Sequence, residues 1–145
     1  MKPLLPLLWI LLAAFSATAF AQDRPYTEGQ VTVVTSVRVA PGQEDRYIAY
    51  LQSAWKASME EQKKAGIILG YAVHEVTPRR LDDPNMYLVV TYPNMASFDG
   101  LDDRVDPITA KATGMNREQA AQAMADRGSM RTILGSQMLR QLVLK

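Results

Sequence analysis

Cysteine is missing from this chain altogether, and histidine occurs once, as His74. Without cysteine there is no disulfide, no thiolate nucleophile, no CxxC redox pair and no cysteine-ligated zinc, so packing alone must hold the domain together. A lipid-anchored lipoprotein is excluded for the same reason. No glycine-rich phosphate loop and no nucleophile elbow occurs. Charge of one sign is never concentrated: 16 basic residues face 15 acidic ones, with no long run of either. Nucleic acid and anionic membrane surfaces demand a basic patch, so neither is expected as a partner.

What is present begins with an apolar leader. Lys2, the run "LLWILLAAFSA" and the small residues of "AFA" at 19–21 have the form of a secretory signal cut before Gln22. Spanning a bilayer takes about 20 consecutive apolar residues. This run is shorter and carries Pro3 and Pro6 near its start. The expected organisation is a signal peptide at 1–21, a polar arm at 22–29 and a single domain at 30–145. No stable membrane insertion is expected after cleavage near Ala21. Loss of Lys2 leaves the two charge signs balanced. An exported domain without cysteine suits a bacterial periplasm first and an extracellular destination second.

Residues 30–39, "QVTVVTSVRV", are β-branched and put Val31, Val33, Val37 and Val39 on one face, which predicts a strand. A helix is predicted over 43–65. Glu44 and Asp45 favour its first turn, Ile48, Leu51, Trp55, Met59 and Gln62 form a stripe, and Gly66 stops it. Strands are predicted at 67–77 and 85–92, joined by the polar hairpin loop "PRRLDDP". Asn94 can cap "MASFDGLDDR", Asp106 and Pro107 can start a short turn, and Asn116 can cap "REQAAQAMADR". "SQMLRQLVLK" at 136–145 reads as a last strand. This order closes into an α+β, ferredoxin-like, four-stranded antiparallel sheet with helices on one face.

A sheet covered on one side should alternate apolar with polar residues. Here Leu69, Tyr71 and Val73 oppose Ile68, Ala72 and Val76, and Met86, Leu88, Val90 and Tyr92 oppose Tyr87 and Val89. Both faces are apolar, and the chain has too little helix to cover both. A second copy packed sheet to sheet is the economical cover, so the expected partner is the chain itself.

Those same residues carry a resemblance. "VRVAPGQEDRYIAYLQSAWKASMEEQKKAGIILGYAV" followed by "MYLVVTYPNMASFD" resembles the dimeric α/β-barrel superfamily, of the antibiotic-biosynthesis monooxygenase-like and stress-responsive barrel type. The shared features are a strand ending in Pro41–Gly42, a long helix with Trp55, a Lys–Ala–Gly exit into a Gly–Tyr strand, and Asn94 ahead of Phe98. The resemblance implies two subunits forming a shared barrel, with a pocket in each between sheet and helices. Its members include cofactor-independent monooxygenases, haem-degrading enzymes and isomerases. The haem-degrading branch carries an Asn on the first strand and a His on the second helical segment. This chain has neither, and no cofactor is expected.

Candidate residues follow. His74 is a general base by residue type, yet no Ser, Cys or carboxylate stands at a telling spacing. Trp55, Tyr71, His74, Tyr87 and Tyr92 are candidate pocket-lining residues, and His74, Trp55 and Tyr92 the weak catalytic candidates. Each of these has an ordinary alternative in packing, at the dimer seam or in the core. Asp99, Asp102, Asp103 and Asp106 would share one helical face, but read as a solvated acidic face neutralised by Arg104, Arg79 and Arg80, and no metal site is signalled. Three function classes stay open. The leading one is an exported homodimer that binds a small apolar or aromatic molecule, with no assigned catalysis. The others are a cofactor-independent monooxygenase or isomerase acting on a small aromatic substrate, and a cell-envelope protein-interaction module.

Overall fold

A computed structural model describes residues 24–145; the signal peptide expected at 1–21 lies outside them. Strand β1 (Tyr26–Val39) leads into helix α1 (Glu44–Tyr50), which passes through a π-helical turn (Leu51–Trp55) into α2 (Lys56–Lys64). Strands β2 (Gly70–Glu75) and β3 (Met86–Tyr92) follow, then a 3₁₀ turn (Met95–Phe98), α3 (Leu101–Thr113), α4 (Arg117–Asp126), a second 3₁₀ turn (Arg127–Ser129) and β4 (Arg131–Leu144). The strands pair antiparallel in the order β2-β3-β1-β4, the ferredoxin-like arrangement.

Register decides which side chains meet the helices. Val33 pairs with Val90 and Met138, and Val37 with Met86 and Ile133. The face carrying Val31, Val37, Val39 and Met86 is buried, and Val37, Val39 and Met86 pack with Tyr47 and Leu51 of the long helix. The helical stripe differs from the expected one in its first turn. Tyr47, not Ile48, is the buried residue there; Ile48 is 46% exposed. The π turn accommodates this shift, since an extra residue per turn rotates the contact face. Further along, Ser58 and Gln62 are the buried members, held together by a hydrogen bond from Gln62 Nε2 to Ser58 Oγ at 3.1 Å.

Five boundaries depart from the sequence expectation, and one is the start of β4, which opens at Arg131 rather than at 136. Residues 26–29, expected in a loose arm, belong to β1, and the first three of them pair with the end of β4, Tyr26 opposite Leu144. A bulge between Glu28 and Val31 admits the extra residue there, and Gly29 fits because a Cβ would sit 2.9 Å from Gln141 Oε1. Ile67 and Ile68 precede β2 rather than opening it, and both are buried. Gly100, at φ 58°, breaks the helix expected from Asn94 onward, so Phe98 and Leu101 fall in separate elements. Pro107 lies inside α3 rather than at a helix start; packing of α3 on α2 carries the helix through the missing hydrogen bond. Asn116 does cap α4, its Oδ1 accepting from Gln119 N–H at 2.9 Å while Gln119 Oε1 accepts from Asn116 N–H.

Core and surface apolar residues should respond differently to truncation. Leu51→Ala is expected to lower unfolding free energy by about 2–4 kcal/mol. Leu81→Ala, at a side chain 96% exposed, should change it by less than ~0.5 kcal/mol. Urea denaturation of both variants checks the assignment, and equal losses would contradict it.

Candidate functional site

The sheet divides its four aromatic and histidine candidates between its two faces, while Trp55 stands on the helix side in the π turn. His74 pairs with Tyr87, and Ala72 with Val89, so these four share the face turned away from the helices, together with Val34 and Leu139. Tyr71 and Tyr92 lie on the opposite face with Val90 and Leu88. His74 is exposed. The structure does not bring it together with Trp55 or Tyr92.

On the helix side, two aromatic contacts form. Trp55 meets Tyr71 edge to face with ring centroids 5.2 Å apart, and the Tyr71 hydroxyl donates to the Glu60 carboxylate. Together these tie α2 to β2. Tyr92 tilts against Phe98 at 4.6 Å, which seats the first 3₁₀ turn on the end of β3. Neither phenol is poised for proton transfer near neutral pH. The hydrogen bond to Glu60, ahead of burial, holds Tyr71 above its ordinary value, and burial alone raises Tyr92.

Of several concave places among the described residues, one borders the start of α1 and another reaches Trp55. The larger is an open trench of about 670 Å³ between the start of α1 and β2, lined by Ile48, Val73, Val76, Met86, Glu44 and Glu75 among others. Asn85 also borders it, but its side chain is committed. Its Oδ1 accepts from Val39 N–H at 2.8 Å and its Nδ2 donates to the Val39 carbonyl at 3.2 Å. The trench therefore offers an apolar floor and two exposed carboxylates. The smaller is a cleft of about 280 Å³ between the long helix and α3–α4, whose wall includes Tyr50, Trp55, Ser58, Thr109 and Arg127. Trp55 is the one sequence candidate that reaches it.

Sequence reading missed the group beside that cleft. Tyr47 and Tyr50 stack at 5.9 Å, the Arg127 guanidinium lies 4.3 Å over the Tyr50 ring, and Arg131 lies 5.9 Å from the Tyr47 ring. Burial raises the Tyr47 phenol, with Arg131 pulling the other way. The i, i+3 spacing of the tyrosines was the available signal; arginines 80 residues downstream give none. The acidic face is also rearranged. Gly100 separates Asp99 from α3, Asp106 approaches Arg117 at 3.9 Å, Arg104 donates to the Ser97 carbonyl, and Arg80 pairs with Asp83 at 3.3 Å. Among the described residues, no group of three or more His, Asp or Glu side chains is placed to hold a metal ion. No helix among them is long and apolar enough to cross a membrane.

No family model matches the sequence, and no curated protein matches it. Solved structures do match in fold. HapK from Hahella chejuensis is 13% identical and superposes with a TM-score of 0.52, covering 77% of this chain and 91% of its own. Protein SO0527 from Shewanella oneidensis is 16% identical with a TM-score of 0.51, covering 83% and 99%. A protein from an uncultured marine organism, described as dimeric and ferredoxin-like, is 8% identical with a TM-score of 0.49, covering 82% and 90%. At such identities the likeness is one of fold. The four-stranded antiparallel sheet with helices on one face is the fold that the dimeric α/β-barrel resemblance implied.

The raised phenols give a pH signature. A phenol whose pKa is higher in the folded state stabilises the fold fully below the unfolded value of 10.0. That stabilisation fades as pH climbs toward the folded value, because the unfolded chain ionises first. Thermal midpoints should therefore begin to fall above about pH 10, and Tyr71→Phe should flatten the fall. An unchanged alkaline slope in that variant would show that the bond to Glu60 contributes nothing.

Proposed function

We propose that the protein is an exported homodimer whose two sheets pack face to face, and that it takes up a small apolar or aromatic molecule in the trench between α1 and β2. The observation that carries the dimer is the state of β4. Seven of the thirteen large apolar side chains exposed among the described residues lie on this one strand: Leu139 and Val143 turn to the open face, Ile133 and Met138 pair with Val37 and Val33 on the helix side, and Leu134, Leu142 and Leu144 complete the apolar edge. Long apolar edge strands are normally blunted by charge, proline or a covering element. Here β4 runs 14 residues without proline, and its inner edge pairs with β1 while its outer edge pairs with no strand in the sheet.

A second copy supplies the cover at least cost in new elements. The open face presents Val34, Tyr87, Val89 and Leu139 flanked by Thr32, Thr91 and Gln137, an apolar centre with hydroxyl and amide edges suited to an interface between copies. Face-to-face packing buries Leu139 and Val143, and it puts His74 at the seam. That location supports a structural part for the histidine in the dimer. The trench lies on the other face, where its volume and apolar floor suit a small organic ligand. The apolar leader supports the export part of this reading, and a cysteine-free domain held by packing and assembly needs no oxidative folding machinery at that destination.

One preparation from the periplasmic fraction tests the whole reading. The purified protein should begin at Gln22 and scatter light as two mature chains at micromolar concentration. Leu139→Asp with Val143→Asp should halve that mass. Mass spectrometry of an organic extract should find an apolar or aromatic compound that is absent when Val73→Trp fills the trench. A single-chain mass for the unaltered protein would overturn the dimer, and a clean extract would overturn the ligand.

A further inference from the structure

The cleft between the long helix and α3–α4 is built differently from the trench. Its wall is apolar at Met59, Val105, Met115, Ala120 and Ala123, aromatic at Tyr50 and Trp55, and polar at Ser58, Gln62, Thr109, Thr113 and Arg127. No carboxylate lines it. Among the described residues Arg127 makes no salt bridge and no side-chain hydrogen bond, and its Nε is buried without a partner. Arg127 is half-buried, and its Nε is the donor withdrawn from water, where an unmade bond carries a desolvation cost that is normally avoided. The Tyr50 ring beneath it supplies attraction to the charge but accepts no in-plane N–H. The nearest acidic residue in sequence, Asp126, is engaged elsewhere, accepting from Gln122 Nε2 at 2.9 Å.

A second donor stands across the cleft. Ser58 and Thr109 share one hydrogen bond of 2.9 Å, and Gln62 donates to Ser58. Two hydroxyl hydrogens serve that single Ser–Thr bond, so one of them has no acceptor among the described residues. The aromatic wall has its own local cause. In a plain α-helix, positions five apart lie about 140° apart around the axis. The wider π turn at Leu51–Trp55 closes that angle and brings Tyr50 and Trp55 to the same cleft. Ser53 Oγ donates to the Ala49 carbonyl at 2.8 Å, occupying an acceptor where the helical ladder changes step.

We propose that this interhelical cleft is a second binding site, for a small aromatic carboxylate, with its ring between Tyr50 and Trp55 and its carboxylate on the Arg127 guanidinium and the spare hydroxyl of the Ser58–Thr109 pair. Arginine presents a planar fork of donors that a carboxylate accepts in bidentate fashion. The volume of about 280 Å³ suits a small molecule of one ring. The site does not involve the trench and does not require the dimer.

Calorimetric titration of the purified full-length mature protein tests it, with sodium benzoate as probe, benzamide as its neutral counterpart and inorganic phosphate as an anion without a ring. Benzoate should bind saturably, with benzamide and phosphate each weaker by about tenfold or more, the factor a charge-assisted hydrogen bond supplies. Arg127→Met should remove the preference for benzoate over benzamide. Ala123→Phe, which fills the cleft and keeps the arginine, should abolish binding of both, and circular dichroism of each variant checks that it folds. Equal binding of benzoate and benzamide, equal binding of phosphate, no heat through the millimolar range, or benzoate binding unchanged in both variants would each overturn the proposal. Val73→Trp separates this site from the trench: it should leave benzoate binding intact, and its loss there would overturn the placement in the cleft. Light scattering on the same samples reports the dimer independently.

Discussion

Strand side chains alternate between two faces, and a single layer of helices can cover only one of them. In this chain both faces carry apolar residues, so the fold that buries Val37, Val39 and Met86 beneath the long helix must leave Val34, Tyr87, Val89 and Leu139 turned the other way. This constraint organises the rest of the molecule. It makes β4 long and apolar without a covering element, and places every helix, and so both concave sites, on one side of the sheet. It also separates His74 from the tyrosines that share its neighbourhood in sequence.

Much of this was legible from the residues. The strand order and the helical cover follow from β-branched runs and a helical stripe of unmistakable period. Two-sided apolarity in β2 and β3 is visible because alternation with polar residues fails there. What was not legible came from longer-range geometry. The N-terminal segment looked like an arm because it is polar and contains Pro25; its pairing with Leu142–Leu144 depends on a strand more than a hundred residues away. Pro107 looked like a helix start by local preference, and the packing of α3 on α2 overrides that preference.

The site was less legible than the fold for a related reason. A tyrosine or histidine in an alternating strand belongs to one face or the other by parity, yet parity alone does not say which face meets helices. Tyr71 and His74 differ by three positions and so point oppositely, which rules out a single pocket lined by both within one subunit. The π turn was equally hidden, because no residue type demands it. Its effect is nonetheless large: it turns Tyr47 inward in place of Ile48 and sets Tyr50 and Trp55 along one wall.

Arg127 brings these threads to one side chain. It stands in a 3₁₀ turn between α4 and β4, where the helical layer hands over to the exposed edge strand. The ring of Tyr50, packed against the core cluster that contains Leu51, holds the guanidinium in place without neutralising it. A cation kept partly out of water, beside aromatic walls and with no acid in the same cleft, is stable only as long as the fold around it supplies compensating contacts elsewhere. Here the compensation is the Tyr47–Tyr50 stack and the buried sheet face beneath it. The core that makes the sheet one-sided also holds an unpaired positive charge at the edge of a small aromatic cleft, so packing and recognition draw on the same residues.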